Sequence, residues 1–160
     1  SLSRIPGLRT LLMDLNQRRP GLATALDMKG AGDTRGFLTG RISLHEHMVR
    51  ASAGLAVGLT QAPDPQAAHL LHTDECALAI GDMMDRLLPD VLLCDMPPIL
   101  ENDDLSAFLP QVDGVLLVAD GTRTLPKHIA ECERILSGQT RVIGVVLNQA
   151  RLSGPVPIHA

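Results

Sequence analysis

The chain has 160 residues, a length that fits one domain with a core of useful size. Hydrophobic residues make up 45% and charged residues 20%, and the formal net charge is −4, so there is no basic footprint for nucleic acid. No apolar run reaches the roughly 18 residues of a bilayer span, and no signal peptide is visible. Aromatic residues are almost absent, with two Phe, no Trp and no Tyr, so Leu, Val, Ile, Ala and Met must build the core. The three cysteines, Cys76, Cys94 and Cys132, are scattered and odd in number, which points to a reducing, cytoplasmic setting. Cys94 reads as a small buried hydrophobe.

Ser1 to Leu8 ends in Pro6-Gly7 and reads as the tail of a helix with its stop signal. A strand is predicted from Arg9 to Leu15. Its apolar run, Leu11-Leu12-Met13, ends at once in Asp14, so a buried strand delivers a carboxylate at its C-terminal end. In an open α/β sheet that end is where ligands sit. Gly21 to Met28 is a short helix at best, and the Gly-rich stretch from Lys29 to Gly36 reads as a mobile loop. Phe37, Leu38, Ile42, Leu44 and Met48 suggest one or two short helices broken at Gly40.

Leu55 to Leu59 is the next predicted strand, followed by a turn over Ala62 to Pro65. Asp64 could cap a helix that starts at Pro65. Thr73 is the better cap, since Cys76, Ile80, Met83, Met84, Leu87 and Leu88 form one apolar face of a helix over 73–88. A strand over 91–95 repeats the first design, ending in Asp95 before Met96-Pro97-Pro98. A helix near 103–109 and an Asp113-Gly114 turn lead into a strand over 114–119. That strand is apolar on both faces and is expected to be a central parallel strand. A helix over 124–136, with Pro126 in its first turn and Gly138 past its end, precedes a last strand over 141–147. Residues 151–160 are expected to fray as a tail behind a domain of 1–150.

Strands and helices thus alternate, which argues an α/β fold with a mostly parallel sheet and helices on both faces, a three-layer αβα arrangement. Two strands each ending in an acid can bring Asp14 and Asp95 to one point, an arrangement suited to Mg²⁺ on a phosphate chain. Histidine offers no comparable centre. His45 and His47 stand i,i+2 and diverge on a helix. His69 and His72 can share a face but have no third ligand.

Taken in order, these motifs resemble the cytoplasmic ATPase domain of bacterial tyrosine kinases, which belong to the deviant-Walker P-loop ATPases. The family's apolar strand followed by Asp-x-Asp-x-Arg is matched by Asp14-Leu15-Asn16-Gln17-Arg18, with Arg19-Pro20 after it. Its Walker B pattern, Asp-x-x-Pro, is matched by Asp95-Met96-Pro97-Pro98. Gly36-Phe37-Leu38-Thr39-Gly40, Asp64-Pro65, the run from Val112 to Val118 and Gly144-Val145-Val146-Leu147-Asn148 continue the pattern to about residue 150.

The resemblance implies a P-loop NTPase-like fold that uses ATP and Mg²⁺. It implies that Asp14 acts as base or orienter, that Asp95 binds the metal through water, and that Asn16 and Asp104 assist at the metal. Arg18 would neutralise phosphate and Asn148 would meet the adenine. It also implies a membrane polysaccharide co-polymerase or adaptor as partner, homo-oligomers, and a place at the inner face of the bacterial membrane, in control of capsular or exopolysaccharide export.

Three departures qualify the match. No Gly-x-x-x-x-Gly-Lys-Ser/Thr loop occurs in the 160 residues; in the family it lies about one helix upstream, so it is expected before Ser1. Asn16 stands where the family has a second Asp and removes one negative charge. No Tyr is present, so self-phosphorylation on Tyr is impossible in this chain. A partition- or septum-positioning ATPase switch, and a scaffold without nucleotide binding, are the alternatives.

Overall fold

Strand β1, Thr10–Asp14, is buried at four of its five positions. A run with no solvated face is what a strand covered on both sides requires. The structure is a computed structural model in which residues 2–28, 32–101 and 103–150 are described. In it β1 lies inside a four-stranded sheet of order β2-β3-β1-β4, where β2 is Met48–Ser52, β3 is Leu55–Gly58 and β4 is Val91–Asp95. Both neighbours of β1 run parallel to it. β2 is antiparallel to β3 and forms an edge.

Parallel neighbours need crossover segments. Between β1 and β2 come three short helices: α1 (Leu22–Ala25), α2 (Thr34–Leu38) and α3 (Leu44–His47). Asp33 caps α2 by accepting the Gly36 N–H at 2.8 Å. Ser43 and Glu46 form a capping box at α3. Between β3 and β4 come a 3₁₀ segment, Pro65–His72, and α4, Asp74–Leu87. Thr73 caps α4 by accepting the Cys76 N–H at 3.2 Å, as its place in the sequence predicts. Leu11, Met13, Leu15, Val57 and Leu59 are all buried, and they form an aliphatic interior as the composition requires.

The structure corrects the reading at Met48. The sequence groups that residue with the short helices, but α3 ends at His47 and β2 starts at the next residue. β2 is mostly exposed, with Arg50 and Ser52 in it, so it lacks the apolar run that marks a buried strand. Its partner β3 supplies the pairing.

Residues 1–107 and 108–160 form two compact units. The second contains β5 (Val115–Asp120), α5 (Pro126–Leu136) and β6 (Val142–Asn148). β5 and β6 pair in parallel as a two-stranded sheet. Among the described residues β5 has β6 as its one strand partner, where the apolar run had suggested a central strand. The helix expected near 103–109 is replaced by two separate 3₁₀ turns, Asp103–Leu105 and Leu109–Gln111. Pro110 has no N–H to donate and stands within the second turn.

Candidate functional site

β1 and β4 pair in a register that sets Asp14 opposite Asp95. Adjacent strands lie about 4.8 Å apart, and residues opposed in a ladder project from the same face. Both acids therefore stand together at the C-terminal edge of the sheet. Burial pushes the Asp14 carboxyl up to about 6, and the neighbouring charge of Asp95 adds to the rise. Burial raises the Asp95 carboxyl as well. Two carboxyls driven toward their neutral forms in this way suit a cation, which would offset both the lost hydration and the mutual repulsion.

The loop after β1 fixes Asp14 firmly. The Asn16 N–H donates to Oδ1 and the Leu22 N–H, at the start of α1, donates to Oδ2, each at 3.2 Å. Behind them lies a buried polar knot. Gln17 Nε2 donates to the Asp14 carbonyl at 3.2 Å and to Thr60 Oγ1 at 2.8 Å, and Thr60 Oγ1 donates to the same carbonyl at 3.0 Å. Sequence reading passed over Gln17 and Thr60. A Gln three residues past an acid and a Thr just past a strand end carry no spacing signal, and only the fold joins them.

Asn16 is half-buried two residues past β1, and its Oδ1 accepts the Arg19 N–H at 3.2 Å, closing a local turn. Arg18 lies half-buried in the same loop, while the exposed Arg19 pairs with Glu101. Asn16 and Arg18 thus share the loop that follows Asp14, with Asp95 on the adjoining strand. Asp104 falls in the 3₁₀ turn Asp103–Leu105, and its side chain lies outside the described residues. Asn148 belongs to the second unit, at the C-terminal end of β6 opposite Asp120. Its Oδ1 accepts the Gln149 N–H at 2.9 Å, and its carbonyl accepts the Gly121 N–H at 2.7 Å.

The histidine pairs gather no ligand set. His47 is fully buried and stacks on Phe37 with ring centroids 4.8 Å apart. Among the described residues no group of three or more His, Cys, Asp or Glu could hold a metal ion. Two carboxylates suit Mg²⁺, which keeps several waters and takes phosphate oxygens as further ligands.

No family model matches the sequence. The succinoglycan biosynthesis transport protein ExoP of Rhizobium meliloti (strain 1021) is 28% identical over 159 residues, which cover 92% of this chain and 19% of that protein. The crystal structure of the VpsO kinase domain superposes with a TM-score of 0.81 at 27% identity, covering 94% of this chain and 74% of the other. This chain is similar to bacterial tyrosine kinase domains and has the P-loop ATPase fold. The kinase domain of the Escherichia coli tyrosine kinase ETK matches this chain in fold, with a TM-score of 0.78 at 21% identity over 93% of this chain and 59% of that one. Cobyrinic acid a,c-diamide synthase from Mycobacterium smegmatis, solved with an ATP analogue and magnesium, shares the fold more distantly. Its TM-score is 0.56 at 20% identity, over 88% of this chain and 62% of that one. The chain thus spans about a fifth of the curated relative it matches. Among its described residues no helix is long and apolar enough to cross a membrane.

Proposed function

We propose that this domain takes part in ATP-dependent phosphoryl transfer that regulates exopolysaccharide biosynthesis and export. The register that sets Asp14 opposite Asp95 carries the reading. Asp14 and Asp95 would hold Mg²⁺, with Asn16 contributing an oxygen and Asp104 completing the acidic cluster. Mg²⁺, when bound with ATP, neutralises phosphate oxygens. Asp14 is held by two backbone amides, which position its carboxylate to orient an attacking hydroxyl. Arg18 would neutralise phosphate charge, and Asn148 would meet the adenine. Asp95 and Pro97-Pro98 would serve as the Walker B strand end. The domain would act in the cytoplasm as a homo-oligomer, docked on a membrane polysaccharide co-polymerase.

Labelled ATP tests this in the intact protein with its membrane partner. Asp95→Asn should cut Mg²⁺-dependent turnover at least a hundredfold with the circular dichroism spectrum unchanged, and retained turnover would sink the assignment. One observation favours a second reading, a nucleotide-timed switch: the chain has no Tyr to phosphorylate. Label left on protein supports the kinase, whereas label released only as phosphate, with nucleotide-dependent dimers, supports the switch.

A further inference from the structure

The segments that follow β1 and β3 are tied together by buried hydrogen bonds, and these converge on the peptide between Asp14 and Leu15. On one edge of that peptide the carbonyl accepts from Thr60 Oγ1 at 3.0 Å and from Gln17 Nε2 at 3.2 Å. On the opposite edge its N–H, that of Leu15, donates to the Asp95 carbonyl at 2.9 Å. Gln17 Nε2 also donates to Thr60 Oγ1 at 2.8 Å, which closes a ring. Gln17 is 2% exposed and Thr60 is 6% exposed. Two polar side chains are thus withdrawn from water and directed at a single carbonyl, whose two lone pairs they fill.

That peptide governs the setting of the Asp14 carboxylate. Because a peptide is planar, the direction of its carbonyl fixes ψ of Asp14. The same torsion sets the distance from Asp14 Oδ1 to the Asn16 N–H, which closes an Asx turn at 3.2 Å. Gln17 carries the hold forward into the loop. Its N–H donates to the Leu15 carbonyl at 3.0 Å, and its own carbonyl accepts the Asp64 N–H at 2.7 Å. The loop pinned in this way leads into α1, where the Leu22 N–H reaches Asp14 Oδ2 at 3.2 Å. The ladder from Thr10 to Met13 is made without any of these bonds, so what the knot adds is the orientation of Asp14.

We propose that Gln17 and Thr60 are positioning residues for Asp14: they lock the peptide that follows it and so hold its carboxylate beside Asp95 in the geometry that phosphoryl transfer needs. The role rests on the reading of Asp14 and Asp95 as the Mg²⁺-side acids. Both side chains act through Asp14, and a reacting group displaced by about 1 Å can lose about a hundredfold in rate.

The test is amide hydrogen exchange of the intact protein without nucleotide, followed by its turnover of Mg²⁺·ATP. Thr60→Val is close in shape and removes the hydroxyl, and Gln17→Met removes the amide donor. In each variant, exchange at the Asn16 and Leu22 amides should quicken at least tenfold while exchange at Leu12 and Met13 stays as in the parent. A loss of stability alone would quicken all four together. The kcat should fall at least tenfold with KM for ATP within threefold, and Thr60→Ser, which restores the hydroxyl, should recover both readouts. Should one variant fail to fold, the other decides. The proposal is overturned by exchange at Asn16 and Leu22 that neither variant changes, by a rise common to all four amides, or by an unchanged kcat once the two amides are released. A parent protein without turnover would remove the phosphoryl-transfer reading, and the exchange pattern would still decide whether the knot positions Asp14.

Discussion

His47 is fully buried against Phe37, and neither of its ring nitrogens has a hydrogen-bond partner. Burial holds its pKa down at about 4, against an ordinary 6.5, with the charge of Asp33 opposing the shift. Between those values the unfolded chain binds more protons than the folded one. Stability is therefore whole above 6.5 and declines as pH falls toward 4, by about 3 kcal/mol. His47→Leu should flatten that part of the curve, which urea midpoints at pH 7 and near pH 4.5 will read; an unchanged slope would refute the buried neutral ring. Asp14 acts with the opposite sign. Its folded pKa is raised from 3.8 to about 6, so the folded state binds more protons in that window, and this contribution is lost as pH rises through about 6. In the proposed role Mg²⁺ with ATP should draw the Asp14 titration well below 6, observed by ¹³C NMR of the side-chain carboxyl. A titration that Mg²⁺·ATP leaves in place counts against Asp14 as a metal-side residue.

At the scale of elements, β3 shows how tightly the first unit is filled. A Cβ on Gly58 would come within 2.4 Å of both His47 Nε2 and Met13 Sδ, and neither side chain has surface to move into. Gly58→Ala should therefore cost about 1–3 kcal/mol in chemical denaturation, the range for overpacking. α4 gives a milder case. Thr73 Oγ1 accepts from Cys76 N–H and donates to the Leu70 carbonyl at 2.9 Å, so Thr73→Ala should cost about 1 kcal/mol in the same assay. These elements differ in how they show in the sequence. α4 was legible because a cap and a period of apolar residues agree along one local stretch. β1 and β4 were legible because a buried parallel strand has no polar face and ends abruptly in an acid. β2 was not, since an exposed edge strand takes its identity from its partner β3. The polar knot of Gln17 and Thr60 was not, since these residues meet only through the fold and share no local pattern.

Across the whole molecule the two units differ in how well they cover their sheets. In the first, β1 is buried between two parallel neighbours. In the second, Leu116 and Val118 stand on the same face of the sheet as Val146, and their exposures are 54%, 65% and 44%. Aliphatic residues this exposed on paired strands form an adhesive patch, because burying them against any apolar surface releases about 25 cal/mol per Å². Strands of high β-propensity with little charge add an edge on which another strand can pair. The chain should therefore self-associate with rising concentration and bind the dye ANS. Val118 is opposite Val146 in the register, so the pair Val118→Lys and Val146→Glu sets opposite charges across the strands and keeps the pairing. The double variant should lower ANS fluorescence several-fold and shift sedimentation toward the monomer, with the far-ultraviolet circular dichroism preserved. Association that persists unchanged in the double variant would place the sticky surface elsewhere than on this face of the second unit.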